Sequence, residues 1–427
     1  MAIKPSHILG MNARYKYTKL NSALAKSYGF SKLKTKELLS THNIPTAQVY
    51  HVFSLLHDLE TVQWETIPIP FVVKPVSGSA GKGILVITKM HIEERAWETS
   101  DGDHITEDDL TLHVRNILDG EFSTWGSSHK AIVEEMIPPH PALAKYSYKG
   151  TPDIRVVVFN SVPIMAMARI PTKESHGRAN LDQGAFALGI DLATGITTYG
   201  LMGKGKHITH VPGSTKKVNG IMIPHWNKIL KIAVDAANVA GYVYMGADIF
   251  IHPDKGPMIV ELNGFPGLSI QLANHAGLKR RLERLEGLDV RDAAHGVKIA
   301  QALFAENFSD KLKAEGGVQI ISTTPTVTVH GEKNQRQTVD ALVNTGRTRS
   351  AMSKALAEEL GLLDLDDLLW QQKESLEGKV PVVEVSITIK GQKFKTAMVV
   401  SKRLDSVKHK IELGRKDTQG FLIGDVE

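Results

Sequence analysis

The stretch from Gly246 to Gly267, GADIFIHPDKGPMIVELNGFPG, restricts what this chain can fold into more than any other. Two apolar runs flank Pro253-Asp254-Lys255-Gly256, a four-residue turn signal, so the segment reads as a β-hairpin. With Pro253 paired to Gly256, the same register sets Asp248 directly opposite Glu261, with Cβ atoms about 5 Å apart. Strand alternation then puts Asn263 on the face of Glu261. Two carboxylates and an amide oxygen brought together in this way repel one another unless a cation lies between them. Three hard oxygen ligands on a stiff hairpin suit Mg²⁺, which takes a few carboxylates plus waters and nucleotide phosphates. Two unrelated acids on an amphipathic hairpin would give the same pattern, so the rest of the chain has to decide.

At 427 residues the chain has room for two or three domains and a large core. No apolar run reaches the roughly 18 residues of a membrane span, and Met1–Gly10 lacks a signal-peptide core, so no membrane partner is expected. The absence of cysteine excludes disulfides, thiol nucleophiles and cysteine-based metal sites, and fits a cytoplasmic protein. The net charge of +5 is unevenly spread: Met1–Lys36 carries basic residues from Lys4 to Lys36 and no acid. No nucleic-acid-binding module accompanies that stretch, so it reads as a surface that attracts a nucleotide or an acidic substrate. The acidic run from Glu93 to Asp109 reads as a solvated excursion.

In chain order, His7–Asn12 reads as a short strand followed by a polar turn, and Lys32–Ser40 as a helix ending before Asn43-Ile44-Pro45. Phe71-Val-Val-Lys74-Pro75 is a buried strand with a lysine near its end, and Ile84–Ile87 is the next strand. Between them, Ser77-Gly78-Ser79-Ala80-Gly81-Lys82-Gly83 is a small-residue loop whose backbone N–H groups can approach phosphate closely. It is not a Walker loop, which would lead into a helix. Ala131–Ile137 is a strand ending in acids, and Thr151–Phe159 with Val162–Arg169 forms a second hairpin around Asn160-Ser161. Arg155 and Arg169 approach each other across it, either to satisfy carboxylates or to grip anions. Arg178–Ala185 is a polar loop, and Trp226–Ala240 is helix-periodic with Gly241 as the stop. There is no GxSxG or HExxH, and the 18 histidines show no metal-ligand spacing; His207 and His210 read as surface residues.

In this order VVKP, SGSAGKG, EEMI, DIRVVV, RANLDQG and GADI…VELNGFPG resemble an ATP-grasp ligase, specifically the ribosomal-protein glutamate ligases and α-L-glutamate ligase-like proteins. The resemblance implies a ligase domain over 1–305 with an α+β ATP-grasp fold, two lobes clamping ATP between antiparallel sheets. It implies that ATP phosphorylates a carboxylate and an amine then attacks the acylphosphate. By the same resemblance Lys32 and Lys74 hold the α- and β-phosphates, and Ser77, Gly78, Ser79, Gly81 and Gly83 form the lid over the β- and γ-phosphates. Glu134, Glu135, Met136 and Ile137 match the hinge strand beside adenine, partly through backbone atoms of Met136 and Ile137. Asp248, Glu261 and Asn263 match the Mg²⁺ ligands, and Arg155, Arg169 and Asn180 face the transferring phosphoryl group. Where those relatives carry aspartates before the first lysine this chain has Phe30-Ser31, which leaves Lys36 as the alternative to Lys32.

Residues 306–324 read as a linker. From Thr326 the pattern turns all-β: Thr326–His330, Gln337–Gly346, a helix capped by Ser350 and stopped by Gly361, and a hairpin around Gly391. ALVNTG followed by LGRKD resembles the pepsin-like monomers of retroviral proteases and bacterial retropepsin-like proteins, over 325–427. That resemblance implies a homodimer in which each chain gives one aspartate to a shared dyad. Here Asn344 stands where the aspartate belongs. Asparagine cannot take a proton from water, so the domain is expected to be inactive as a peptidase as written. It is either a peptide-binding or dimerising remnant, or a working protease carrying an Asp→Asn replacement; the intact flanking residues favour the second. The expectation for the whole chain is an ATP- and Mg²⁺-dependent carboxylate–amine ligase acting on an amino acid, peptide or protein with a free carboxylate, glutamate by family analogy. A non-catalytic nucleotide- and peptide-binding scaffold, or an ATP-grasp kinase, are the alternatives.

Overall fold

The computed structural model describes residues 4–78, 81–122, 129–203, 205–304, 319–364, 366–374 and 377–424. They divide into two units, Met1–Ile190 with Gly195–Glu286, and Gly287–Glu427 with Asp191–Thr194. Of the expected linker, residues 306–318 lie outside the described residues. Among the described residues no helix is long and apolar enough to cross a membrane.

The first unit is built on two antiparallel sheets. One contains β1 (Val49–Phe53), β2 (Phe71–Pro75), β3 (Leu85–His91), β4 (Ala96–Thr99), β5 (His104–Ile105) and β6 (Ala131–Glu135), in the order β1-β6-β2-β3-β4-β5. Because β6 is flanked on both sides, all five of its residues are buried, Glu134 and Glu135 included. Phe71, Val73, Ile87 and Trp97 pack with Trp64 against Leu110, Val114 and Ile117 of the helix Glu107–Leu118. The acids of the run from Glu93 to Asp109 are exposed except for the half-buried Glu98, as expected of a solvated surface, but the run also carries β4, β5 and the helix start, which pack inward. Trp97 within it is 1% exposed. Asp109 closes a capping box with Thr106, placing three acids at a helix N-terminus where the backbone dipole favours them.

The second sheet contains β7 (Asp153–Phe159), β8 (Val162–Ile170), β9 (Phe186–Ile190), β10 (Thr197–Met202), β11 (Lys206–Ile208), β12 (Tyr244–His252) and β13 (Gly256–Asn263), in the order β11-β10-β9-β8-β7-β12-β13. The helix Trp226–Val239 buries Ile229, Leu230, Ala233 and Ala236 against it, and Gly241, at φ +68°, lets the chain turn away. Around His7–Asn12 the structure differs from the sequence reading. Pro5–His7 is a 3₁₀ turn and Met11–Thr18 is a helix, which turns Arg14 and Tyr17, three residues apart, onto one buried face. Leu9 finds no strand partner; the Gln271 side chain accepts its N–H and donates to its carbonyl instead.

The second unit is mainly β. β14 (Gln319–Ile321) pairs with β22 (Phe421–Ile423), and the rest is β15 (Thr326–His330), β16 (Arg336–Val343), β17 (Ala351–Ser353), β18 (Leu368–Glu374), β19 (Gly378–Ile389), β20 (Gln392–Ser401) and β21 (Ile411–Leu413). β15 pairs with both β16 and β19, closing a six-stranded barrel with β18 at its edge. Val327, Val329, Ile387, Met398 and Ile411 fill it. The helix Lys354–Glu359 is capped by Ser353, not Ser350, and Gly361 at φ +69° follows its end. Ser350 is fully buried and donates to Asp417.

Candidate active site

At the tip of the β12–β13 hairpin, His252 pairs with Gly256, so Pro253 and Gly256 do not pair as expected. The loop is Pro253-Asp254-Lys255, held by the His252 imidazole, which accepts from the N–H groups of Asp254 and Lys255. Gly256, at φ +78°, takes the left-handed position that such a loop needs. The register then shifts by one between Asp248 and Ile249, and this bulge restores Asp248 opposite Glu261 and Gly246 opposite Asn263. Without it Asp248 would face Val260 and Glu261 would turn to the other side of the sheet.

β12 also pairs with β7, where Asp248 faces Arg155. A row Arg155–Asp248–Glu261 therefore runs across three adjacent strands. Arg155 donates to both oxygens of Asp248, from Nε at 2.7 Å and Nη2 at 2.6 Å. Arg169 comes from β8, opposite Asp153, and donates to Asp248 Oδ2 at 2.8 Å. It also forms an ion pair with the buried Asp153 carboxylate. Burial opposes the charge on Asp248, but the two guanidinium groups outweigh it and hold this carboxyl far below the usual carboxylate range. Glu261 stands differently. It has no ion pair within 4 Å among the described residues, and burial together with the Asp248 charge pushes its carboxyl up, against the pull of Lys32. Asn263 Oδ1 accepts from the Phe265 N–H at 2.8 Å and starts the turn that follows. A carboxylate paired to two guanidinium groups beside one with no ion pair within 4 Å among the described residues leaves the second open to a cation, and the donor set is hard oxygen. The residues present fit a Mg²⁺ ion.

The lysines come from β2 and from the helix Lys32–Thr41. Val72 pairs with Glu134, and Lys74, two residues on, shares that face; its ammonium donates to Glu134 Oε1 at 2.5 Å. The helix Lys32–Thr41 aligns Lys32 and Lys36 one turn apart. Lys36 binds Glu134 Oε2 at 3.0 Å and also donates to Thr46 Oγ1 and the Ala47 carbonyl. Burial drives its pKa down to about 8. Burial would raise Glu134, and the Lys74 and Lys36 ammonium groups hold it low instead. Lys32, one turn earlier, donates to the Gly78 carbonyl at 3.3 Å and is depressed mainly by burial. It is thus Lys32 that reaches the glycine-rich loop, while Lys36 is tied to Glu134.

Within that loop Ser77 is buried, Gly81 and Gly83 have φ of +71° and +70°, and Ser79 and Ala80 lie outside the described residues. A Cβ at Gly83 would come within 2.6 Å of the Phe122 ring, and one at Gly81 within 3.4 Å of Arg178. At the hinge, the Met136 N–H donates to the Pro70 carbonyl and the Ile137 carbonyl accepts from Thr151. The Met136 carbonyl and Ile137 N–H are the backbone groups that could pair with a base. Glu135 forms an ion pair with Lys255 and accepts from the Gln48 N–H. Asn180 caps the turn Leu181–Gln183, its side chain accepting from the Asp182 N–H, in the loop between β8 and β9.

In the second unit the two quoted motifs meet. The Asn344 N–H donates to the Leu413 carbonyl, Arg415 Nη1 donates to the Thr345 carbonyl at 2.5 Å, and Gly414 N–H donates to Ser350 Oγ. Asn344 Oδ1 accepts from the Gly346 N–H at 3.0 Å, and its Nδ2 is 3.4 Å from Glu412 Oε2.

Sequence reasoning passes over Asp153, which shares Arg169 with Asp248, and over Arg178, which lies against the loop glycine. For Asp153 a signal exists: acid and base two apart on a strand share a face with a base on the next strand. Lys36 enters from the sequence only as the alternative to Lys32, because its tie to Glu134 joins a helix to a distant strand and leaves no local trace.

Comparison with known proteins bears on this geometry. The model of a family described as sugar-transfer associated ATP-grasp matches residues 10–287. No curated protein matches. Among solved structures, D-alanine–D-alanine ligase from Bacillus anthracis is similar at 13% identity and a TM-score of 0.35, over 70% of this chain and 75% of that one. The ATP-grasp ligase PsnB, solved with a minimal precursor, Mg and ADP, is similar at 14% identity and a TM-score of 0.35, over 62% and 61%. D-alanine–D-alanine ligase from Coxiella burnetii follows at 15% and 0.32, over 62% of each chain. Those likenesses are too distant to carry the assignment, which rests on the family match. The chain belongs to the sugar-transfer associated ATP-grasp family and has the ATP-grasp fold.

Proposed function

We propose that this chain joins a carboxylate to an amine through an acylphosphate, with the ligase machinery lying within residues 1–305 and the row Arg155–Asp248–Glu261 at its centre. The observation that carries the reading is the asymmetry of that row: one carboxylate in direct ion pairs with two guanidinium groups, the other facing it with no ion pair within 4 Å among the described residues. Asp248, Glu261 and Asn263 would hold Mg²⁺, which neutralises phosphate charge and orients the triphosphate when bound. Lys74 and Lys32 supply fixed positive charge to the α- and β-phosphates, and the loop from Ser77 to Gly83 covers them. Glu134 aims Lys74 through their buried ion pair. Arg155, Arg169 and Asn180 steady the phosphoryl group and the acceptor carboxylate, two anions that otherwise repel. A carboxylate oxygen attacks the γ-phosphorus, and the bond to the bridging oxygen breaks to release ADP. The amine nitrogen then attacks the acyl carbon, phosphate leaves, and the amine proton passes to solvent or phosphate.

Glutamate, or a peptide ending in a free carboxylate, is the acceptor class proposed, on the likeness of the motifs to glutamate ligases. The test is incubation with ATP, Mg²⁺ and amino-acid mixtures, followed by mass spectrometry of products and a phosphate assay. Expected is a product heavier than the amine by the mass of the free acid minus one water, with ADP and phosphate in equal amounts, lost in Glu261→Ala. A stable phosphorylated product would make the chain a kinase; nucleotide binding with no phosphate release would make it a scaffold.

For 325–427 the reading is a retropepsin-like domain, dimeric and inactive as a peptidase as written. It is supported by the joining of the NTG turn to the GRKD segment through Arg415 and Leu413. Asn344→Asp should then give peptidase activity at acidic pH in a sedimenting dimer. A monomer, or an Asn344→Asp variant silent across acidic and neutral pH, would refute it.

A further inference from the structure

Away from the nucleotide-binding residues, three side chains of metal-ligating type converge at the edge of the first sheet. His91 ends β3, Glu98 is on β4, and His104 begins β5. His91 pairs with Ala96, two residues before Glu98, and Glu98 pairs with His104. Strand alternation therefore puts all three on one face, while Trp97 and Ile105 take the opposite face and pack into the core. One ligand atom from each lies within 4.8 Å of the others. His91 Nε2 is 3.3 Å from Glu98 Oε2, and the two imidazoles face each other with centroids 4.5 Å apart. Ligand atoms around a tetrahedral Zn²⁺, at about 2.0–2.1 Å from the ion, stand about 3.3 Å from one another. Glu94 Oε2, 3.8 Å from His104 Nδ1, can orient that ring or complete the set.

We propose that His91, Glu98 and His104 bind one borderline divalent transition-metal ion, of which Zn²⁺ is the representative. Two imidazoles and a carboxylate favour such an ion over Mg²⁺ or Ca²⁺, which prefer oxygen alone. The ligands come from three neighbouring strands, so the ion ties β5 and the β3–β4 hairpin together. The histidine reading from sequence spacing missed the cluster because cross-strand pairing, not sequence interval, assembles it. Lys89 also reaches this carboxylate, with its ammonium 3.2 Å from Glu98 Oε2. Lys89 and the metal therefore compete for one carboxylate.

The test is calorimetric titration of the full chain with ZnCl₂ in buffer containing excess Mg²⁺, which keeps the Asp248–Glu261 region out of the readout. One tight equivalent is expected. His91→Ala and His104→Ala should each weaken it beyond the roughly 10–100-fold typical of losing a supporting residue. Glu98→Gln should weaken it as well, and Lys89→Met should strengthen it severalfold by removing the competitor. His207→Ala, which breaks the separate His207–His275 contact at 2.9 Å, should leave it unchanged. Near-ultraviolet circular dichroism of the buried Trp97 checks folding, and the gain in Lys89→Met cannot arise from misfolding. No tight equivalent in the wild type, wild-type affinity in the two histidine variants, no gain in Lys89→Met, or loss in His207→Ala would each overturn the assignment.

Discussion

Replacing Lys36 by methionine tests whether the buried charges around Glu134 are arranged as described. Lys36 is 3% exposed, and burial lowers its pKa from the ordinary 10.5 to about 8 in spite of Glu134. The folded chain therefore releases this proton about 2.5 pH units before the unfolded chain does. Between those two values the unfolded state binds more protons, so folding stability rises as the pH rises. At about 1.4 kcal/mol for each pH unit, the full gain across the window is about 3 kcal/mol. Below the window the buried ammonium costs that amount, and above it the cost is gone. Lys36→Met cannot show the gain. It also loses the bonds to Thr46 and Ala47, about 1 kcal/mol each, but that loss is a constant offset and leaves the slope alone. Urea unfolding followed by tryptophan fluorescence suits the purpose, because Trp64 and Trp97 lie in the core against β2 and β6, the strands that carry Lys74 and Glu134. Between about pH 7 and about pH 10 the wild type should gain on the variant by a large part of that 3 kcal/mol. Parallel curves would mean that Lys36 titrates as in water, and the account of the Lys74–Glu134–Lys36 cluster would fall.

Asp248→Asn leaves two buried guanidinium groups without their shared carboxylate and should cost about 3–5 kcal/mol, seen as a lowered denaturation midpoint of the first unit. Glu261→Gln, one strand away, removes a carboxylate that faces another and should leave the metal-free protein unchanged or up to about 1 kcal/mol more stable, while Mg²⁺-dependent nucleotide binding falls; equal losses in the two variants would contradict the asymmetry of the row. Gly83→Ala meets both a left-handed backbone and the Phe122 ring, and should cost about 1–3 kcal/mol by thermal unfolding. Asp417→Ala strands the buried hydroxyls of Ser350 and Thr396, which donate to it at 2.5 and 2.6 Å, and should destabilise the second unit by about 2–4 kcal/mol in denaturant titration.

Much of the architecture was readable wherever one local rule sufficed. The strands Phe71–Pro75 and Thr326–His330 and the helix from Trp226 to its Gly241 stop follow from periodicity and turn residues, as does the β19–β20 hairpin around Gly391. The opposition of Asp248 and Glu261 was reached from a turn register that the chain does not use, and a bulge corrected it. Ser350 reads as a helix cap because serine before a helical run usually is one; the structure spends it on Asp417, 67 residues away.

The order of apolar and polar residues along the chain was enough to specify the hairpins, the glycine-bearing loop and the placing of Lys32 on a helix and of Arg155, Asp248 and Glu261 on strands, because each depends on neighbours a few positions away. Folding alone decided which charges meet. It gave Asp248 two arginines and left Glu261 without one, tied Lys36 to Glu134 and Lys32 to Gly78, and gathered His91, Glu98 and His104 onto one face. These pairings are set by strand order and register between distant segments, and Coulomb energy in a buried site depends on that spatial separation, not on the distance along the sequence.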